Sequence, residues 1–190
     1  MRRNSVADGA AAKARIHHCH DRTILLRKGK FMAKAHPVVE IEVKAVLPTS
    51  GGCAVFMGNA KKIFVIYIDH SVGMAISMAM RQEARERPQT HELIGFILAG
   101  LGAKVDRVVI NHFADGVYYA RLFLAAENEL YERKIVEIDA RPSDSIALAV
   151  QAKAPVFLTR EVWEGVEDVT AMYQKMEKDG FPTGGLDSGD

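Results

Sequence analysis

The chain has 190 residues, 48% hydrophobic and 26% charged, with a net charge of +1. That is enough for one domain with a true core, and it excludes a disordered chain or a uniformly basic one that coats nucleic acid. Any contact with nucleic acid must come from a local patch. With two cysteines, Cys19 and Cys53, and no apolar run near the ~20 residues of a membrane span, a disulfide framework and membrane insertion are not expected, and a cytoplasmic setting is.

Residues 1–36 read as a flexible basic arm, rich in His, Arg and Lys. His17-His18-Cys19-His20 holds four competent metal ligands. Adjacent side chains cannot all point at one tetrahedral ion, so no physiological metal is expected there. The arm's cations can touch phosphate without specificity.

Residues 37–168 read as the main domain. Residues 38–47 alternate, with Val39, Ile41, Val43 and Ala45 on one face and Glu40, Glu42 and Lys44 on the other. A turn at 48–52, a strand at 53–57, a turn at Gly58-Asn59 and a strand at 62–68 complete a three-stranded meander. Cys53 reads as a small buried hydrophobe. Ser71 is expected to cap the next helix, whose buried stripe is Val72, Ala75, Ile76, Ala79 and Met80. Met74 and Met78 lie off that stripe. Thr90 is expected to cap a second helix, buried through Ile94, Ile97, Leu98 and Leu101, with Gly102 as its left-handed end. His91 sits in the first turn of that helix. It reads as a surface or capping histidine, or as a polar group set beside a cleft.

A second meander follows. Strands at 105–113 and 117–125 flank Asp115-Gly116, a hairpin signal because glycine accepts positive φ. A third strand covers 131–139. Tyr118 and Tyr119 point to opposite faces, and Arg121 shares the Tyr119 side. Tyrosine beside arginine can stack a base and hold a phosphate, or pack an interface.

At residues 139–150 a strand stops, a polar corner turns and a helix begins. Pro142 breaks the ladder because it has no amide proton. Ser143 or Asp144 is expected to cap the helix, and Ile146, Ala149 and Val150 repeat at helical spacing. The corner gathers Asp139, Arg141, Ser143 and Asp144 at a helix start, where free amides attract anions. The plain alternative is an ion-pair knot in which Arg141 pairs with Asp139 or Asp144. A strand at 156–159 and a short helix at 160–166 with Trp163 as a packing residue come next. A last helix at 169–178, with Met172 and Met176 on one side, leads to a Gly/Asp-rich tail, so 169–190 forms a C-terminal helix and tail. The strands thus fall into two three-stranded meanders, with helices between and after them.

The run Asp139-Ala140-Arg141-Pro142-Ser143-Asp144, then Ile146-Ala147-Leu148-Ala149 and Ala154-Pro155-Val156-Phe157, resembles the signature of the bifunctional nuclease family. Thr90-His91-Glu92-Leu93, Gly102-Ala103-Lys104-Val105, Asp115-Gly116 and Tyr119-Ala120-Arg121-Leu122 are similar to further segments of it. One place departs: where the family typically reads Ile-Gly-x-x-Glu, this chain has Ile68-Asp69-His70-Ser71-Val72. The resemblance implies an α+β fold, a mixed, mostly antiparallel sheet made from the two meanders with helices packed on it, and a nuclease that hydrolyses phosphodiester bonds in DNA and RNA, in a homo-oligomer.

On the residues, a metal-assisted version would use Asp69, Asp139 and Asp144 to bind Mg or Mn. Arg141 would grip the phosphate and His91 would move a proton, with Arg121, Tyr119 and Ser143 holding substrate. The competing reading is a non-catalytic nucleic-acid- or protein-binding regulatory module that keeps the fold.

Overall fold

The computed structural model describes residues 16–19, 22–28, 37–83, 86–127 and 133–181. In chain order the elements are β1 (Ile16–Cys19), β2 (Arg22–Lys28), β3 (Val38–Thr49), β4 (Gly52–Gly58), β5 (Ile63–Ile68), α1 (His70–Arg81) and α2 (Thr90–Gly100). They continue with β6 (Ala103–Ala114), β7 (Val117–Glu127), β8 (Arg133–Ala140), α3 (Pro142–Ala152), β9 (Val156–Thr159), α4 (Arg160–Gly165) and α5 (Thr170–Asp179).

Both expected meanders form. β3, β4 and β5 pair antiparallel in succession, and so do β6, β7 and β8. The second hairpin turns at Asp115 and Gly116, both at positive φ, as a two-residue turn of the right twist requires. The short strand β9 joins the meanders. It lies antiparallel to β3 and parallel to β6, which makes the sheet mixed. The order is β1-β2-β8-β7-β6-β9-β3-β4-β5. Within the segment read as an arm, β2 pairs antiparallel with β8 and β1 with β2. His20 and the rest of 1–36 lie outside the described residues, as does the tail from 182.

β3 serves two faces because of a bulge between Val43 and Ala45. The extra residue, Lys44, shifts the alternation by one. Val39 and Val43 pack on the main core beside buried Ile41, and beyond the bulge Val46 does so too. Ala45 and Leu47 turn to the opposite face. The expected single face through Ala45 is therefore corrected.

The main core lies between the sheet and α1, α3 and α4. Met57, Phe64, Ile76, Val108, Ile110, Ile146 and Leu158 are wholly enclosed there. α5 covers the other face of β4 and β5, where Tyr173 stacks at 5.5 Å on Phe56. Trp163 packs edge-on against Phe64 at 6.4 Å, in the packing role expected of it, and Lys62 lies over its ring.

Three helix starts differ from expectation. α1 begins two residues early, so Asp69 is its N-cap and Ser71 lies inside the first turn. α2 is capped at Gln89, whose amide donates to Glu92 Oε2 at 2.7 Å, which leaves Thr90 as the first helical residue. In α3, Pro142 takes the first helical position, which suits its fixed φ, and Arg141 becomes the N-cap. Neither Ser143 nor Asp144 caps. The buried face expected for α2 is also corrected: Leu98 reaches the core, whereas Ile94, Ile97 and Leu101 are exposed. No helix among the described residues is long and apolar enough to cross a membrane.

Candidate active site

The corner at the start of α3 is built by three stretches of chain. Arg141 lies between β8 and α3, and Asp144 is in the first turn of α3. Asp69 ends the β5–α1 link, and His91 opens α2. Arg141 holds Asp144 through two hydrogen bonds, Nε to Oδ2 at 2.7 Å and Nη2 to Oδ1 at 3.2 Å. Its Nη1 lies 3.6 Å from the Asp69 carboxylate. His91 Nε2 lies 3.4 Å from Asp144 Oδ1, the outer limit of a hydrogen bond.

Burial pushes the Asp144 carboxyl up, but the Arg141 guanidinium and then His91 outweigh it and hold it below the usual carboxylate range. The same hydrogen bond, reinforced by the charge of Asp144, raises the Arg141 pKa further.

The guanidinium stands open to solvent, its side chain 58% exposed. It borders a cavity of about 460 Å³, a size that takes a small ligand. The cavity lies between the end of β5 (Tyr67 to Asp69), the β6–β7 turn (Gly116 to Tyr118) and the start of α3 (Arg141 to Ser143). Ser143 is buried in its wall. The early amides of α3 receive no side-chain cap, so they are free to meet an anion. His91 lines a second cavity, of about 260 Å³, enclosed by α1, α2 and α3. Asp144 thus connects a histidine on one cavity with an arginine on the other.

Asp139 is placed elsewhere. It faces Arg121 across the β7–β8 ladder, with Nη1 to Oδ1 at 3.6 Å, and Glu137 lies 3.8 Å from the same guanidinium. Tyr119 is exposed, its ring 5.6 Å from His112. Tyr118 turns the other way, against Phe113 at 4.3 Å, and walls the larger cavity. The opposite facing of the two tyrosines is as expected, but the roles of Tyr118 and His112 were not read from sequence. The signal was present: the Asp115-Gly116 turn fixes the pairs Phe113 with Tyr118 and His112 with Tyr119.

The donors do not fit a protein-held divalent ion. Asp69 and Asp144 both face one guanidinium, and Asp139 belongs to the Arg121 ladder. Among the described residues no three His, Cys, Asp or Glu side chains converge, whereas Mg²⁺ or Mn²⁺ needs several oxygens.

The bifunctional nuclease domain model matches residues 55–170. The chain belongs to the bifunctional nuclease domain family. An uncharacterised protein of Mycobacterium tuberculosis is 32% identical over 104 residues, 55% of this chain and 58% of that protein. Bifunctional nuclease 1 of Oryza sativa subsp. japonica is 26% identical over 97 residues, 51% of this chain and 29% of that protein. The chain thus spans less than two thirds of the length of these relatives. The stretch matched to the bifunctional nuclease domain includes Asp69, His91, Arg121, Asp139, Arg141 and Asp144. At the departure from the family pattern, Val72 is buried in the core of this bifunctional nuclease domain. Asp69 supplies the nearby carboxylate, turned toward Arg141.

Proposed function

We propose that this chain is a nuclease that hydrolyses phosphodiester bonds in DNA and RNA, with Arg141 receiving the phosphate. One observation carries the reading. An exposed guanidinium, fixed by a bidentate carboxylate, stands at the mouth of a cavity whose wall is an uncapped helix start. Arginine binds phosphate in a planar, two-pronged fashion, and the α3 amides add donors for the charge that grows on the phosphate oxygens. Asp144 holds the arginine in place and orients His91 in the tautomer that donates from Nε2. The other ring nitrogen is then free to accept a proton. Asp69, 3.6 Å away, completes the charge balance around Arg141. The name and family of the rice relative support the nuclease class.

The test is cleavage of labelled single-stranded DNA, duplex DNA and RNA by the purified full chain, beside Arg141→Ala. Cleavage lost in the variant supports the reading, and equal cleavage in both overturns the placement at Arg141. Arms with Mg, with Mn and with chelator separate metal-assisted from protein-only hydrolysis. Salt-sensitive binding without cleavage favours the non-catalytic module, which the neutralised pairing of Arg141 with two carboxylates also suits.

A further inference from the structure

The cavity beside Arg141 has sides of different chemistry. The α3 side is built for an anion, with the Arg141 guanidinium, Ser143 and the uncapped first amides of the helix. The other two sides are the end of β5 and the β6–β7 turn. There Tyr118 is held against Phe113 at 4.3 Å and Phe64 at 6.3 Å. Gly116 leaves the turn side open, since a Cβ there would meet nothing within 4 Å.

The β5 side carries unused hydrogen-bonding groups. Among the described residues β5 ends the sheet and pairs only with β4. At its start the Ile63 amide donates to Thr170 Oγ1 at 2.9 Å, and its carbonyl accepts from the Val169 amide at 2.8 Å. The backbone groups of Ile63 therefore point away from β4. An antiparallel strand reverses that direction at each residue, and the β4–β5 register is unbroken, so Tyr67 also turns its N–H and C=O outward. Tyr67 lines the cavity, two residues before Asp69, whose carboxylate reaches Arg141.

We infer that a nucleobase of the substrate enters this cavity, with its pairing edge on the Tyr67 backbone, its ring against Tyr118 and its adjoining phosphate on Arg141, so that the substrate is single-stranded nucleic acid. The inference rests on the nuclease reading for the fate of the phosphate; its own content is the need for an unpaired base. Every base carries a donor and an acceptor side by side on its Watson–Crick edge, so one backbone donor and acceptor take any base, in DNA or RNA. Stacking on an aromatic ring is equally tolerant. A base within a duplex has that edge occupied and its faces covered, and reaches a pocket only by leaving the helix. The cavity, about 460 Å³, has the size for such a ligand. The net charge of +1 agrees, because it lacks the cation excess that grips a duplex through its phosphates.

The experiment uses the full chain without substitution. The probes are a short labelled DNA strand, its perfect duplex and the same strand with abasic sugars. Fluorescence anisotropy measures binding on phosphorothioate versions, which resist hydrolysis, and gels measure cleavage of the ordinary ones. The intact single strand is expected to bind about tenfold or more tightly than either other probe, the scale of losing a stacked base. Base-dependent binding without cleavage supports the base site and overturns only the nuclease reading. Cleavage or binding indifferent to the bases, a duplex handled as well as the single strand, or no binding of any probe overturns the inference. An amide NMR titration then locates the site: the Tyr67 and Tyr118 signals move with adenosine monophosphate and stay still with ribose phosphate. Shifts that miss both residues overturn the placement in this cavity.

Discussion

Arg121 and Asp139 sit directly opposite each other on β7 and β8, their charged groups 3.6 Å apart, and this keeps Asp139 away from Arg141. Two arginines therefore divide the acidic residues between them: Arg121 takes Glu137 and Asp139, and Arg141 takes Asp69 and Asp144. The division separates the two groups in their expected effects. Arg141→Ala is expected to lower kcat/KM about 100-fold or more, the usual scale for losing a donor aimed at developing charge. Asp139→Asn breaks a partly exposed ladder pair and is expected to cost no more than about 1 kcal/mol of stability. Cleavage should then stay within about threefold of wild type, a comparison that steady-state kinetics on one substrate makes.

Asp144 gives a pH signature. Its carboxyl sits below the usual range in the folded chain, so its contribution to stability is complete above the unfolded value of about 3.9. The contribution is lost as pH falls through the lower, folded value. Urea unfolding of wild type and Asp144→Asn should show a constant gap from neutral pH down to about pH 5, closing in more acid solution. A gap that grows on acidification would contradict the pairing with Arg141.

Gly73 tests the seam between α1 and β4. A Cβ there would lie 2.4 Å from both Cβ and Sγ of Cys53. Alanine gains about 1 kcal/mol of helix propensity over glycine, but overpacking a closed seam costs roughly 1–3 kcal/mol or more. Gly73→Ala is expected to be destabilised on balance, by up to about 2 kcal/mol, read from the urea midpoint at unchanged slope.

Cys53 itself should be inert. Burial pushes its thiol up, and the sulfur faces His70 Nδ1 only at 3.8 Å. In native protein the thiol should react with a disulfide reagent far more slowly than in urea, a difference that absorbance at stopped-flow times measures directly.

Much of this was legible because local pattern sufficed. Two-residue alternation set the meanders, and Pro142 marked the corner. Asp115-Gly116 fixed the register beside the turn, from Ala114 with Val117 to His112 with Tyr119, beyond which a bulge between Ile110 and His112 shifts it. Three features were not legible, each for a physical reason. The bulge at Lys44 changes faces without any change in composition. Periodicity showed that α2 has an apolar stripe, but not which side the domain would cover. At the corner, spacing left Arg141 two carboxylates to choose from, and the choice was made by Arg121, a residue far away in sequence that had already engaged Asp139.

β9 has a consequence for how the protein is made. Among the described residues it alone pairs with both β3 and β6, and it is synthesised after the other described strands of the sheet. Until Val156 to Thr159 leave the ribosome, the nascent polypeptide holds two unconnected half-sheets, each presenting a naked border where its keystone belongs. Such borders recruit strands from other molecules. Truncation just upstream of Val156 should therefore give inclusion bodies rather than a smaller folded unit.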